Sequence, residues 1–155
     1  MFRTMRLKEN ALSNEEAVEI LERNSFGTLA LAGDSGYPYA VPVNYAYGHD
    51  KIYIHGAPEG HKLDAISRDS KVSFCVVEKD DVIPEEFNSL FKSAIVFGRA
   101  RILTDDTEKR YALEKILQKY SSGFIKEGEA YIDAEWDQVA AVEISIEHLT
   151  AKKGT

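Results

Sequence analysis

Three of the chain's four histidines, His49, His55 and His61, recur at intervals of six residues, the first spacing in the sequence that suggests chemistry. A metal site needs its donors on a common face. Here the three fall on a turn, a strand and the start of a helix, and no carboxylate motif joins them, so no metal ligands are assigned. The sequence holds no G-x-S-x-G elbow, no P-loop and no G-x-G-x-x-G fingerprint, and without an elbow no Ser/His/Asp triad is favoured. The single cysteine, Cys75, excludes an internal disulfide and a cysteine-clustered zinc site. It lies in the apolar run Val72 to Val77, where it reads as a small buried hydrophobe rather than a nucleophile.

A stronger signal lies in Lys51 to Asp64. Ile52 and Ile54 alternate with Tyr53 and His55, which predicts a strand with one buried face and one face of polar rings. The turn Gly56-Ala-Pro-Glu-Gly60 follows, and a helix opens at His61 and Lys62. A glycine-flanked loop that starts a helix aims unpaired N–H groups and the positive end of the helix dipole at one spot, and Lys62 adds a full charge there. Such a spot suits a phosphate. Taken alone, the turn reads equally as an ordinary strand-to-helix connection with Lys62 solvated.

Residues 1–12 are polar and read as an N-terminal arm. Ser13 and Glu16 have capping-box spacing and predict a first helix with an apolar stripe of Ala17, Val18, Ile20 and Leu21. A strand over Ser25 to Ala32 ends in the turn Gly33 to Gly36. Tyr37 to Tyr47 reads as one long strand, with Tyr39, Val41, Val43, Tyr45 and Tyr47 on one face and Ala40, Pro42, Asn44 and Ala46 on the other. Pro42 cannot donate to a ladder, so the segment is expected at an edge or a bulge, with its small, polar face free to lie against a flat ligand. After the second helix comes a short buried strand, Val72 to Val77. Glu78 to Lys92 is read as an acidic segment with a helical turn at Phe87, Leu90 and Phe91.

Ser93 to Leu103 is a strand. Asp105 and Glu108 are spaced to cap a third helix with its stripe at Leu113, Ile116, Leu117 and Tyr120. Ser121 to Gln138 is read as a long connection holding Trp136, Val139 to Ile146 as the last strand, and residues 148–155 as a trailing tail. The sum, about six strands joined mostly by hairpin turns and about three helices, predicts a mainly β single domain over 1–155, a small antiparallel barrel with peripheral helices rather than a parallel nucleotide-binding sheet.

A net charge of −7 argues against a nucleic-acid partner. No apolar run approaches the roughly 20 residues of a membrane span. The first residues lack the apolar core and cleavage site of a secretory signal, so a cytoplasmic location is expected.

Five stretches, Gly36 to Tyr45, Ile52 to Ala57, Gly60 to Leu63, Lys71 to Val77 and Ser93 to Ala100, together resemble the flavin-binding split-barrel superfamily of pyridoxamine phosphate oxidase. Within it the chain is most similar to the nitroimidazole reductase (nitroimidazole-resistance) proteins. The resemblance runs from the first helix to the last strand. It implies a homodimer of six-stranded split barrels with one FMN in each of two grooves between the subunits. It places the backbone of Val41, Pro42, Val43 and Asn44 along the isoalloxazine edge, His55 and Ala57 near the ring and ribityl chain, and His61 and Lys62 at the phosphate. Ser93 is placed against the flavin of the partner subunit.

The function so implied is an FMN-dependent oxidoreductase acting on small nitroaromatic compounds, with His55 as the residue facing the reactive part of the ring and a candidate proton donor. A strand histidine held only by hydrogen bonds is the alternative reading of His55. A flavin carrier or sensor without turnover, or a barrel that binds haem or a deazaflavin, are the alternative functions. Relatives with Gly-Lys near the end differ from Ala151-Lys152 here. The chain also lacks the C-terminal arginine and tryptophan motif with which pyridoxamine phosphate oxidases hold their substrate, which argues against vitamin B6 oxidation.

Overall fold

The computed structural model describes residues 1–154. Ser13 caps the first helix, α1 (Asn14–Arg23), with the reciprocal Ser13–Glu16 bonds expected from their spacing. The strands β1 (Phe26–Ala32), β2 (Pro38–Asn44), β3 (Ala46–Gly48) and β4 (Lys51–Gly56) follow, then the helix α2 (His61–Arg68). Two long strands, β5 (Lys71–Ile83) and β6 (Asn88–Ile102), form a hairpin. After them come the helices α3 (Asp106–Tyr120) and α4 (Ile125–Ala134) and the last strand, β7 (Ala140–Lys153).

All seven strands belong to one sheet of order β2-β1-β5-β6-β7-β4-β3, and every pairing is antiparallel. The two ends of that order, β2 and β3, are separated in the chain by a single residue, Tyr45. The sheet must therefore curl until its edges meet, which makes it a split barrel. Tyr45 is the fully buried pin of that closure: its hydroxyl donates to the Leu21 carbonyl at 2.6 Å and its ring meets Phe74 edge-on at 4.9 Å. The inside of the curl holds Leu29, Ile52, Ile54, Phe74, Val96 and Ile144, closed over by Ile20 and Leu21 of α1 and by Ala65 and Ile66 of α2.

Four sequence expectations change. The Tyr37 to Tyr47 strand breaks at Tyr45 into β2 and β3, giving seven strands where six were expected. The turn after β3 closes on His49 and Asp50, both with positive φ, the geometry of a two-residue hairpin. Glu78 to Lys92 has no packed helical turn; it extends β5 and β6 outward as a ribbon whose tip residue, Phe87, is fully exposed. The residues of the expected tail pair with β6 as far as Lys153, and the N-terminal arm is tied to them by the Leu12 N–H donating to the Ala151 carbonyl at 2.9 Å. The expected long connection contains a fourth helix, α4.

That fourth helix matters because β4 has two covered faces. Ile52 and Ile54 enter the main core, but Tyr53, expected on a polar face, is buried in a second cluster with Ala112, Leu113 and Ile116 of α3 and Ile132 of α4. Residues two apart on a strand share a face, so His55 points to the same side as Tyr53, toward α3 and α4. Among the described residues, no helix is long and apolar enough to cross a membrane.

Candidate functional site

The strands and the α3–α4 pair enclose a cleft of about 770 Å³. Asn44, at the end of β2, and His55, at the end of β4, form its barrel wall, although they lie on opposite ends of the sheet order. The curl of the sheet joins them. Leu113, Ile116 and Leu117 of α3 give the cleft an apolar floor, and Tyr131 and Ile132 of α4 face them. At the C-terminal end of α3 the Tyr120 hydroxyl accepts from the Tyr45 N–H at 3.1 Å and lies 2.5 Å from the Ser25 and Tyr45 carbonyls, which fastens the helix to the barrel beside the cleft. Lys119 also anchors it, with its ammonium on the Asn24 carbonyl and 4.0 Å from the centre of the Tyr45 ring. Burial without a carboxylate partner lowers that amine's pKa to about 8.

His55 has an exposed surface within the cleft, yet the surrounding walls desolvate its imidazole and lower its pKa below the ordinary 6.5, with the Lys62 charge as the second cause. Lys62 reaches back along β4: its ammonium lies 3.7 Å from the point where a β-carbon on Gly56 would stand. The helix start that presents Lys62 has Gly60 at φ 142°, a conformation that side chains disfavour, and no side chain caps it. The contrast with α1 and α3 is direct, since Ser13 and Asp105 accept from the first turn of those helices. An uncapped helix start with a lysine over it has donors to offer an anion.

His61, the first residue of α2, stacks on Tyr39 of β2 with ring centroids 4.0 Å apart and planes 7° from parallel. Its Nε2 is 3.8 Å from Asp34, whose carboxylate is held below the usual range first by the Arg68 hydrogen bond, then by the Arg68 charge and by His61. The Arg68–Asp34 bond of 2.7 Å offsets the negative charge that faces His61.

Of the residues singled out in the sequence, Asn44 and His55 thus meet in the cleft, Lys62 lies next to His55 at the Gly56 end of β4, and His61 stacks on Tyr39 at the other end of β2 from Asn44. Val41 and Val43 pack their side chains on the core, so only their backbone faces outward; Pro42 and Asn44 are exposed, and β2 is an edge strand, as its proline required. Ala57 is exposed just beyond β4. Ser93 is not brought to this cleft. It pairs with Val77 and Lys152 and borders a separate cavity of about 140 Å³ with Arg3, Met5 and His148. Trp136 does not line the cleft either; it packs in the second cluster with Lys109 4.4 Å from its ring centre.

The cleft residues on and flanking α4, Phe124 to Glu135, escape a sequence reading that makes the segment a long connection. Ile125, Gly128 and Ile132 carried a partial helical signal at i, i+3 and i+7, but only Ile132 is buried, too little for periodicity to declare a helix.

A family model described as pyridoxamine 5'-phosphate oxidase matches residues 13–153. An uncharacterized protein of Rhizobium meliloti (strain 1021) is 31% identical over 88 residues, 57% of this chain and 53% of that protein, so the match spans about half of that relative. Among solved structures, an FAD-binding protein from Mesorhizobium loti is similar with a TM-score of 0.69 and 26% identity, covering 94% of this chain and 97% of that one. A candidate 5-nitroimidazole antibiotic resistance protein from Bacteroides thetaiotaomicron is similar with a TM-score of 0.73 and 21% identity, covering 92% and 86% of the two chains. The second likeness, at that identity, is one of fold.

Proposed function

The chain belongs to the pyridoxamine 5'-phosphate oxidase family, and from that premise we propose that it binds a flavin mononucleotide, FMN, along β2 and uses it to reduce small nitroaromatic compounds. The observation that carries this reading is the uncapped Gly60 helix start with Lys62 over it, set beside His55 and the open edge of β2. Tyr39 to Asn44 spans roughly 17 Å of extended strand, and its outward side is small and polar. The residues present fit the group: donors for a phosphate at His61 and Lys62, backbone of Val41 to Asn44 for the ring edge, and His55 and Ala57 between them. Bound flavin supplies two-electron redox chemistry, which the side chains here do not.

The chain's own residues then orient and exclude water. Leu113, Ile116 and Leu117 dry the cleft, and Asn44 and His55 offer hydrogen bonds at its wall. With its pKa lowered, His55 is mainly neutral at pH 7, so in the empty site it acts as a neutral hydrogen-bonding group. A phosphate on Lys62 offsets the charge that contributes to this depression, and so makes His55 easier to protonate once the site is filled.

A homodimer belongs to the same proposal. Val77, Phe97 and Phe26 are exposed on the strands, and Ser93 shares one face of β6 with Ile95 and Phe97. That face supports a role for Ser93 against a flavin held by the partner, since it is turned away from the chain's own cleft.

The test is an absorbance spectrum of purified protein before and after addition of FMN and removal of excess, followed by turnover of a 5-nitroimidazole with reduced nicotinamide. Two flavin bands that bleach on reduction, with nitro-group loss, support the reading. Flavin retained without turnover makes the protein a flavin carrier. A colourless protein that ignores FMN overturns the reading.

A further inference from the structure

The α4 side of the cleft differs chemically from the barrel side. Phe124 and Tyr131 line it although about two-thirds of each is exposed, 67% and 68%. Glu127 and Glu135 line it as well. Among the described residues neither glutamate's carboxylate has an ion pair or hydrogen bond, in contrast to the neighbouring charges. On the outer side of the helix pair, Arg110 is bound to Asp133 and Glu114. Lys119 is turned to the Asn24 carbonyl and the Tyr45 ring, and Lys62 lies against Gly56, next to His55 on the opposite, barrel wall of the cleft. The cleft thus has an apolar floor, two free aromatic faces and two unneutralised carboxylates.

We propose that this cleft is a subsite for planar, positively charged aromatic compounds, with Phe124 and Tyr131 as stacking faces and Glu127 and Glu135 selecting for positive charge. The proposal rests on the flavin reading for its place beside a redox site, and it narrows the substrate class of that site to cationic heteroaromatics over anionic ones. Stacking on exposed rings favours flat cations. Two carboxylates roughly 6 Å from a bound cation in a water-like dielectric together amount to about a tenfold effect on affinity. That effect is screened when the Debye length falls to a few ångströms.

The experiment titrates the full chain, with and without FMN, with three fluorescent probes of one shape at about pH 7.5: N-methylacridinium, neutral acridine and acridine-9-carboxylate. The cation is expected to bind about tenfold more tightly than acridine, and the anion more weakly than either. The double variant E127Q/E135Q is expected to lose that preference while its acridine affinity stays within about twofold. Phe124→Ala, a change at an exposed ring, weakens the cation and the neutral probe by similar factors. Equal binding of the three probes, or a preference that survives in the double variant, overturns the proposal. FMN retention is read from the same samples. Retained flavin without charge preference defeats the subsite alone, whereas charge preference without flavin defeats the flavin reading and leaves the subsite standing.

Discussion

Replacing Lys62 by methionine keeps most of the aliphatic stem that packs beside Gly56 and removes only the charge. The ammonium is half-buried at an uncapped helix start. A charge-assisted hydrogen bond from such a group to a phosphate contributes about 1.5–3 kcal/mol. Partial exposure puts the effect at the lower end, so K62M should weaken FMN binding roughly tenfold. Binding should not vanish, because the N–H groups of the first turn of α2 remain. Riboflavin, which has the same ring and chain without the phosphate, is the internal control and should bind wild type and K62M alike. The same substitution removes the second cause of the low His55 pKa, so the His55 titration should move up while remaining below 6.5, because desolvation, the larger cause, is untouched. Fluorescence titration with both ligands and an NMR pH titration of the His55 ring give the two readouts. Equal weakening of FMN and riboflavin would refute a phosphate at Lys62, and an unmoved His55 would refute the proximity on which the argument stands.

Tyr45→Phe removes the donor that satisfies the Leu21 carbonyl inside the core and should cost about 1–2 kcal/mol in urea unfolding, with the fold retained. Gly98→Ala puts a β-carbon 2.3 Å from the Ser145 carbonyl oxygen, a backbone atom beside the register shift between β6 and β7; a loss of at least about 3 kcal/mol or failure to fold is expected, by urea unfolding or yield of soluble protein. Stability should depend on pH through His55. Its folded pKa is depressed, so the unfolded chain binds the proton more readily, and the contribution of His55 is fully present above about pH 6.5 and lost as pH falls through the lowered folded value. Urea midpoints across that window should slope less in H55Q than in wild type.

The amino-acid sequence alone determined whatever depends on neighbours along the chain. The Ser13–Glu16 capping box, the Gly60 helix start, the Asp105 cap and the placement of Pro42 on an edge strand are set by backbone groups within a few residues, and each is found where the spacing put it. The alternation of Ile52 and Ile54 placed both in the core by the same local rule. Tertiary structure decided what needs a partner far away. Residues 148–153 look like a tail until β6 offers them a ladder, and Glu78 to Lys92 becomes a ribbon because its two halves pair with each other through Lys79–Lys92 to Ile83–Asn88. Tyr53 and His55 face a buried side of β4 only because α3 and α4 return to cover it. The cleft itself joins Asn44 and His55 to residues more than fifty positions further along the chain, and no local pattern encodes that meeting. It follows from the curl of the sheet about Tyr45, which is a property of the whole hydrogen-bonded order.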